Sequence, residues 1–276
     1  MCDTCGCNVT HGNQHLLAEG GKLEHTRDGR ESVEVLQNLL QANDHEAGHN
    51  REHFNRHGVL AVNLMSSPGA GKTLLLENTI EQLAGDLKVA VIEGDLNTEN
   101  DAKRIRDKGV PAIQINTGTA CHLDAHMVHG ALHELDLDGL DIVFIENVGN
   151  LVCPASFDLG QHLNVTLLSS PEGDDKPAKY PVMFRAADLM LITKSDLIDV
   201  LRDFEPAKAR AHLRNLANPA QVIELSALSG NGMKIWIDWL TGQLASVRQG
   251  VADGELIRPN IQAEGPVFHA TSPPVG

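Results

Sequence analysis

The stretch Ser66-Ser-Pro-Gly-Ala-Gly-Lys-Thr73 decides the fold of this chain. It follows an apolar run at 59–65 that predicts a β-strand, and it leads into a helical pattern at 73–84. Gly69 and Gly71 let backbone N–H groups curl around a phosphate without interference from a Cβ atom. The N-terminus of the following helix adds a partial positive charge. The stretch therefore predicts a phosphate-binding loop between a strand and a helix.

The generic form of this loop has a leading Gly, four free residues, and then Gly-Lys-Ser/Thr. Here Lys72 is expected to reach the β- and γ-phosphates, the Thr73 hydroxyl to ligate Mg²⁺, and Ala70 to offer a backbone N–H. Ser66 stands where the generic pattern has its leading Gly. The alternative interpretation is a Gly-rich turn with a surface lysine. The flanking strand and helix favour the phosphate loop.

The rest of the chain alternates short apolar runs with amphipathic stretches, and this predicts an α/β P-loop NTPase fold. Its sheet should be mostly parallel, with helices on both faces. Further helices are predicted at 121–134 and, closing the domain, at 234–244. Four regions are expected: a flexible metal-binding tail at 1–30, a His-containing lead-in helix at 31–58, the nucleotide-binding domain at 59–245, and a C-terminal tail at 246–276.

The composition and net charge of the chain limit which partners it is expected to bind. The chain has 276 residues with a formal net charge of −15, which argues against nucleic acid or an anionic membrane as the main partner. Hydrophobic residues make up 42% and aromatic residues only 3%, so Leu, Val, Ile and Ala must build the core. No apolar run approaches the ~20 residues that span a bilayer, and the N-terminus does not resemble a secretory signal. A cytoplasmic protein is expected.

Two acidic residues follow predicted strands and are candidate magnesium ligands. Glu146 ends the apolar run at 142–145, and Glu146-Asn-Val-Gly149 has the form of a γ-phosphate sensor. Asp95 follows the strand predicted at 88–93 and is a candidate for magnesium binding or for positioning water. The alternative for Asp95 is an ordinary turn cap.

A second set of residues predicts which base is bound. Thr193-Lys-Ser-Asp196 follows a buried strand and resembles the guanine motif Asn/Thr-Lys-x-Asp. The Asp196 carboxylate can accept hydrogen bonds from guanine N1–H and N2–H₂, a donor pair that adenine lacks, while Lys194 would lie over the base. Ser226 and Ala227 follow the next strand and resemble the last guanine-binding motif. Because ligands in such folds sit at the carboxyl ends of strands, these residues predict a GTP site.

Cysteine and histidine residues predict metal binding at two places. Cys121, His122 and Cys153 flank the nucleotide motifs, and thiolates with an imidazole suit Zn²⁺ or Ni²⁺. Cys121 is predicted to open a helix. Three ligands leave the site open to water or to a second subunit. The alternative is a pair of buried structural cysteines.

The N-terminal Cys2-Asp-Thr-Cys5-Gly-Cys7 is a dense thiol cluster that favours Ni²⁺; the alternative is a redox-active or incidental thiol tail. Histidines also recur every four residues on the lead-in helix, where an i, i+4 pair can chelate a metal. A solvated polar helix face is the favoured interpretation of that pattern. These four histidines are His45, His49, His53 and His57.

Taken together, these motifs resemble the HypB family of hydrogenase nickel-incorporation GTPases, of the dimerising SIMIBI class. The resemblance spans nearly the whole chain. The matching segments are Cys2-x-x-Cys5-Gly-Cys7, Ser66–Thr73, Cys121-His-Leu-Asp-Ala, Glu146-Asn-Val-Gly-Asn-Leu-Val-Cys-Pro and Thr193-Lys-Ser-Asp.

The resemblance implies a GTPase that helps load nickel into NiFe hydrogenase. It implies a high-affinity nickel site at Cys2, Cys5 and Cys7, and a weaker nickel or zinc site at Cys121, His122 and Cys153. It further implies a GTP- and metal-dependent homodimer, with the nickel chaperone HypA and the hydrogenase large subunit as partners. A urease accessory GTPase of the UreG type is the alternative, but its Cys-Pro-His motif is absent here. A nickel-storage protein is the other alternative.

Overall fold

The computed structural model describes residues 30–95, 100–118 and 120–259, and within helix 30–57 it describes side chains from residue 40 onward. The N-terminal cysteines Cys2, Cys5 and Cys7 lie outside the described residues. Within the described residues there are seven strands, at β1 Leu60–Ser66, β2 Val89–Asp95, β3 Ala112–Asn116, β4 Ile142–Glu146, β5 Leu163–Ser169, β6 Leu189–Thr193 and β7 Gln221–Glu224. The α-helices are α1 Arg30–His57, α2 Lys72–Leu83, α3 Asn100–Arg106, α4 Ala125–Glu134, α5 Lys176–Lys179, α6 Pro181–Arg185, α7 Pro206–Asn215 and α8 Met233–Ala252.

The strands form one sheet in the order β3-β2-β4-β1-β5-β6-β7. Every neighbouring pair is parallel, which confirms the predicted sheet. All residues of β1, β4, β5 and β6 are buried, because helices cover both faces of the sheet.

The two largest hydrophobic clusters among the described residues lie on opposite faces of the sheet. On one face, α2, α3 and α8 pack against the strands, and Trp236 at the centre donates a hydrogen bond from Nε1 to Thr79 Oγ1 at 2.8 Å. On the other face, α1 and α4 pack together through residues such as Phe54 and Val128. Packed side chains therefore cover the central strand β1 on both faces of the sheet, and the phosphate loop follows directly from this buried strand.

The strand order places the candidate site at one edge of the sheet. On one side of β1 the sheet continues with β4, β2 and β3, and on the other side it continues with β5, β6 and β7. Such a switch point forms a crevice beyond the carboxyl ends of the strands. Ser66, Asp95, Glu146 and Thr193 each end a strand there.

Two helix predictions are wrong at their ends. The helix predicted over 121–134 begins instead at Ala125, because the Asp124 side chain caps it by accepting a hydrogen bond from Met127 N at 2.8 Å. Cys121 therefore lies in the loop before the helix and does not open it.

The closing helix predicted over 234–244 continues to Ala252. Residues 246–252, which the sequence predicts to belong to the C-terminal tail, are therefore helical. Val247 faces the core, and Ile257 packs over Gly250. Among the described residues, no helix combines the length and apolar character that a membrane span requires.

Candidate functional site

The phosphate loop joins the end of β1 to the start of α2. Gly69 and Gly71 have φ values of 74° and 96°, in the left-handed region that glycine adopts without strain. A Cβ atom added at either position would meet no protein atom within 4 Å. Backbone conformation, not packing, therefore requires glycine at these two positions, as a loop that wraps around phosphate needs.

Ser66 explains why the generic leading glycine is dispensable. Its φ is not positive, so a side chain is tolerated, and its hydroxyl is fully buried. Lys72 Nζ donates a hydrogen bond to Ser66 Oγ at 3.0 Å, and Ser66 Oγ donates to Ser67 O at 2.7 Å. Ser66 thus holds the lysine ammonium inside the loop, where it would meet phosphate oxygens.

Two buried carboxyl groups face the loop from neighbouring strands. Thr73 Oγ1 donates a hydrogen bond to Glu146 Oε1 at 3.1 Å, and Glu93 on β2 is the register partner of Glu146 on β4. Burial and the nearby Glu146 carboxyl raise the pKa of Glu93 to about 11. Burial also raises the pKa of Glu146, while Lys72 opposes that rise. Without a cation, the pair therefore holds a proton between its two carboxyls.

These groups fit a magnesium ion. Oε2 of Glu93 and Oε2 of Glu146 are buried and accept no hydrogen bond from an N–H or hydroxyl group of the described residues. Such oxygens, next to the Thr73 hydroxyl, are the hard ligands that Mg²⁺ prefers. Asp95 is half-buried at the end of β2, and its backbone carbonyl accepts a hydrogen bond from Thr117 N at 3.0 Å. Residues 96–99, which follow it, lie outside the described residues.

The guanine motif is tied to the phosphate loop. Thr193 Oγ1 donates a hydrogen bond to Ala70 O at 2.7 Å, and Lys194 Nζ donates to Gly69 O at 2.8 Å. Lys194 itself has a φ of 56°, in the left-handed region that side-chain-bearing residues rarely adopt. The lysine is therefore held in a constrained turn directly beside the loop.

The remaining guanine-motif residues follow β6 and β7 at the same edge. Asp196 lies in a short 3₁₀-helix, Ser195–Val200, and is exposed. Ser226 is buried, and its N–H donates to Asn231 O at 2.8 Å, whereas Ala227 is half-buried. Ser195 N donates to Leu225 O, so the loops after β6 and β7 are joined. An exposed carboxylate at such a crevice is free to receive a base edge.

The structure brings Cys121, His122 and Cys153 together, with their ligand atoms all within 4.8 Å of one another. Cys121 Sγ lies 3.7 Å from His122 Nδ1, and the His122 ring stacks on Phe157 with centroids 4.0 Å apart. Burial lowers the pKa of His122 to about 4, so its imidazole is neutral and able to ligate. Burial is the main cause, and the neighbouring Cys121 thiol the second cause, that raises the pKa of Cys153 to about 11. A bound cation would favour the thiolate that it ligates.

Asn150 connects the sensor segment to this cluster. Its Nδ2 donates a hydrogen bond to Cys121 O at 3.3 Å, and its amide also bonds the Cys153 side chain, which opposes the rise in that pKa. One asparagine thus touches both cysteine residues of the cluster. We did not identify this residue from the sequence, since Asn-x-x-Cys carries no recognised ligand spacing.

Asn147 and Gly149 complete the connection. The buried Asn147 accepts a hydrogen bond from Leu123 N at 3.1 Å, and Nδ2 of Asn147 donates to Asn63 Oδ1 at 3.3 Å. A Cβ atom at Gly149 would lie 2.8 Å from Pro68 Cα, so only glycine permits this approach to the phosphate loop. The segment 146–150 therefore contacts the phosphate loop and the metal-type cluster at once.

The four histidines of α1 do not gather into one group. His45 and His49 are exposed, with ring centroids 4.7 Å apart. His57 Nδ1 lies 2.8 Å from Asp138 Oδ1, and His53 contacts histidines of α4.

The fold and site define a P-loop nucleotide-binding protein with a thiol–imidazole cluster beside the segment 146–150. The family model described as CobW/HypB/UreG, nucleotide-binding domain, matches residues 60–224. Hydrogenase maturation factor HypB of Azotobacter vinelandii is 53% identical over 239 residues, covering 86% of this chain and 77% of the relative. The same factor of Azotobacter chroococcum mcd 1 is 49% identical over 239 residues, covering 86% and 76%.

A solved structure is also similar. The crystal structure of HypB from Helicobacter pylori in complex with nickel superposes with a TM-score of 0.71 at 42% identity, covering 74% of this chain and 96% of that one. The chain therefore belongs to the HypB family of hydrogenase maturation factors.

Proposed function

We propose that this protein is a GTP-hydrolysing metallochaperone that binds nickel and assists its insertion into NiFe hydrogenase. The observation that carries the proposal is the segment 146–150, which contacts both the phosphate loop and the cysteine–histidine cluster. The relatives named hydrogenase maturation factors, and the nickel complex of the Helicobacter pylori protein, support nickel as the cargo.

The nucleotide chemistry follows from the loop and the buried acids. Lys72 would bind the β- and γ-phosphates, and Asp196 would select guanine. Thr73 and Glu146, with Asp95, would hold Mg²⁺, which neutralises charge that develops on the phosphate oxygens. Asp95 is also our candidate for positioning the attacking water. Hydrolysis cleaves the bond between the β–γ bridging oxygen and the γ-phosphorus, yielding GDP and phosphate.

Glu93 is a further acidic group that belongs to this site. Its carboxyl pairs with that of Glu146 across the β2–β4 register, so it would orient the magnesium-binding carboxylate or ligate the ion itself. A cation in the site would displace the shared proton, because its charge favours the ionised carboxylates.

Nucleotide state and metal geometry would be coupled through short hydrogen-bonded steps. A γ-phosphate at the Gly149 N–H would change how this segment packs on Pro68. Asn150 would transmit the change, since its amide bonds Cys121 O and lies against Cys153. Loss of the γ-phosphate would then alter the ligand geometry around nickel and favour its release. Zn²⁺ suits the same donors and is an alternative occupant.

The partners and the N-terminal site remain part of the proposal. A GTP- and metal-dependent homodimer would complete the coordination that Cys121, His122 and Cys153 leave open. Cys2, Cys5 and Cys7 would form the high-affinity nickel site, and HypA and the hydrogenase large subunit would give and receive the metal. These assignments follow from family membership and from the donor set.

The coupling is tested by nickel titration of the full chain carrying Cys2→Ser, Cys5→Ser and Cys7→Ser, so that the remaining thiol site is observed alone. Affinity is measured with Mg²⁺ and a non-hydrolysable GTP analogue, and then with GDP. We expect a difference of roughly tenfold, which corresponds to a coupling free energy of about 1.4 kcal/mol. Asn150→Ala should reduce that difference while leaving nucleotide affinity unchanged. The exposed substitution Asn231→Ala serves as its control.

Equal nickel affinities and equal dimerisation in the two nucleotide states would overturn the coupling. Lys72→Ala separates delivery from storage. Hydrogenase maturation should fail in that variant, whereas a storage role would survive it.

A further inference from the structure

Three histidines meet where α1 packs on α4, away from the cysteine–histidine cluster. His53 projects from α1, and His129 and His133 project from α4. We call these three residues the histidine seam. No step in the proposed function uses them.

His129 and His133 stand four residues apart on one helix and bring their ring nitrogens together. Nε2 of His133 lies 3.0 Å from Nε2 of His129. Two imidazoles bound to one ion at bond lengths near 2.1 Å have nitrogens about 3.0 Å apart in octahedral and about 3.4 Å apart in tetrahedral geometry, so the observed distance is close to that of adjacent ligands. The i, i+4 arrangement on a helix is also the spacing at which two histidines chelate zinc.

Neighbouring groups settle which His129 nitrogen carries the proton. Asn50 Nδ2 donates hydrogen bonds to Ala125 O at 2.8 Å and to Leu159 O at 3.1 Å, which fixes Asn50 Oδ1 as an acceptor. His129 Nδ1, 2.9 Å from Asn50 Oδ1, must therefore be the donor. In a neutral ring this leaves the lone pair on His129 Nε2, the atom that faces His133. A metal-binding histidine is typically held in this way by its other nitrogen.

A third imidazole, that of His53, borders the pair. Its ring centroid lies 5.9 Å from that of His129 and 6.5 Å from that of His133. Rings that share an ion have centroids within about 6 Å, since each centroid lies about 3 Å from the metal that it ligates. His53 meets this limit toward His129 but not toward His133, so it borders the pair and does not complete it. Burial and the cationic charges of its neighbours, Arg56 first, lower the pKa of His53, which keeps this ring unprotonated.

A carboxylate balances the charge at the seam. Glu46 Oε1 lies 3.3 Å from His129 Nδ1 and would face the outer side of a metal-bound ring. His133 is exposed and His53 and His129 are half-buried, so an ion can enter from solvent. We propose that the histidine seam is a separate binding site for a divalent transition-metal ion of the Ni²⁺ or Zn²⁺ class, with His129 and His133 as the chelating pair and His53 as an adjacent imidazole.

The test uses the full chain with all five cysteines replaced by serine, which removes both thiol sites. Titration with Ni²⁺ and with Zn²⁺ should show a remaining ion per chain, and X-ray absorption should report imidazole nitrogen and no sulfur around it. His129→Ala or His133→Ala should weaken that binding by roughly tenfold or more, because each removes a direct ligand. His53→Ala should weaken it less.

Two matched controls keep the inference falsifiable. His45→Ala with His49→Ala removes the other contacting pair on α1, and His212→Ala removes a histidine on α7; both should leave the affinity unchanged. Thermal unfolding without metal checks that each variant is folded. Absence of ion binding in the cysteine-free chain, or binding that the His129 and His133 variants retain, would overturn the proposal. Loss of binding in the His45/His49 variant alone would also overturn it.

Discussion

Replacing Glu93 by glutamine should stabilise the nucleotide-free protein, although it removes an ionisable carboxyl group from the candidate active site. Glu93 is 2% exposed, and burial with the neighbouring Glu146 raises its pKa from 4.5 to about 11. At neutral pH the folded state therefore holds a proton that the unfolded state releases. The free energy of folding that this protonated carboxyl contributes is fully present below pH 4.5 and is lost as pH rises from 4.5 towards 11.

The size of the expected stabilisation follows from the pKa of Glu93 in the unfolded chain alone. Holding the proton costs about 1.4 kcal/mol for each pH unit above 4.5, which amounts to about 3 kcal/mol at pH 7. Glutamine has nearly the same shape and can donate a hydrogen bond to Glu146 without taking up a proton. The free energy of unfolding of Glu93→Gln should therefore exceed that of the wild type at pH 7, with the gap growing as pH rises.

The difference in the free energy of unfolding between Glu93→Gln and the wild type is measured by urea unfolding in EDTA without nucleotide, at pH 5.5, 6.5 and 7.5. The comparison requires that the denaturant slope stays constant. Glu134→Gln, at an exposed position on α4, is the control and should show no pH-dependent gap. With Mg²⁺ and a GTP analogue the order should reverse, because the wild type gains more from the cation. A gap that is the same at pH 5.5 and 7.5, or a less stable Glu93→Gln protein, would refute the buried-proton argument.

Three further outcomes are expected. Gly149→Ala places a Cβ 2.8 Å from Pro68 Cα, so the affinity for a GTP analogue should fall roughly tenfold while far-UV circular dichroism is unchanged. Asp196→Asn should weaken GTP by about a hundredfold and favour xanthosine triphosphate, whose C2 carbonyl accepts a hydrogen bond; unchanged base preference by competition binding would contradict the assignment. Burial lowers the pKa of His162 to about 3, so stability should fall below pH 6.5 by up to about 1.4 kcal/mol per unit, and His162→Gln should flatten that slope in acid unfolding.

The sheet and the phosphate loop could be predicted because their signals are local. Buried parallel strands appear as short continuous apolar runs, and Gly69 and Gly71 are needed by the conformation of their own backbone. The start of α4 differs from the prediction by four residues, although its signal is also local, because Asp124 is a strong N-cap residue.

The remaining site residues could not be predicted, because their roles depend on contacts distant in sequence. Glu93 pairs with Glu146 only because β4 inserts between β1 and β2 in the sheet, which no spacing rule shows. His53 meets His129 only because α1 and α4 pack together. Glu93 and His129 are ordinary by local pattern and become chemically distinctive through their neighbours.

The position of Ser66 shows why the generic motif and the structure differ. A leading glycine is expected where a loop needs freedom, yet Ser66 ends a fully buried strand and has an ordinary backbone conformation. Its hydroxyl instead holds the Lys72 ammonium at 3.0 Å, while Thr73 bonds Glu146 at 3.1 Å. Phosphate would add to the first contact, because the lysine ammonium has three N–H donors, and Mg²⁺ would bind beside the second. Because Glu146 begins the segment that reaches Cys121 through Asn150, nucleotide binding would act at the start of the same chain of contacts that ends at the metal-type cluster.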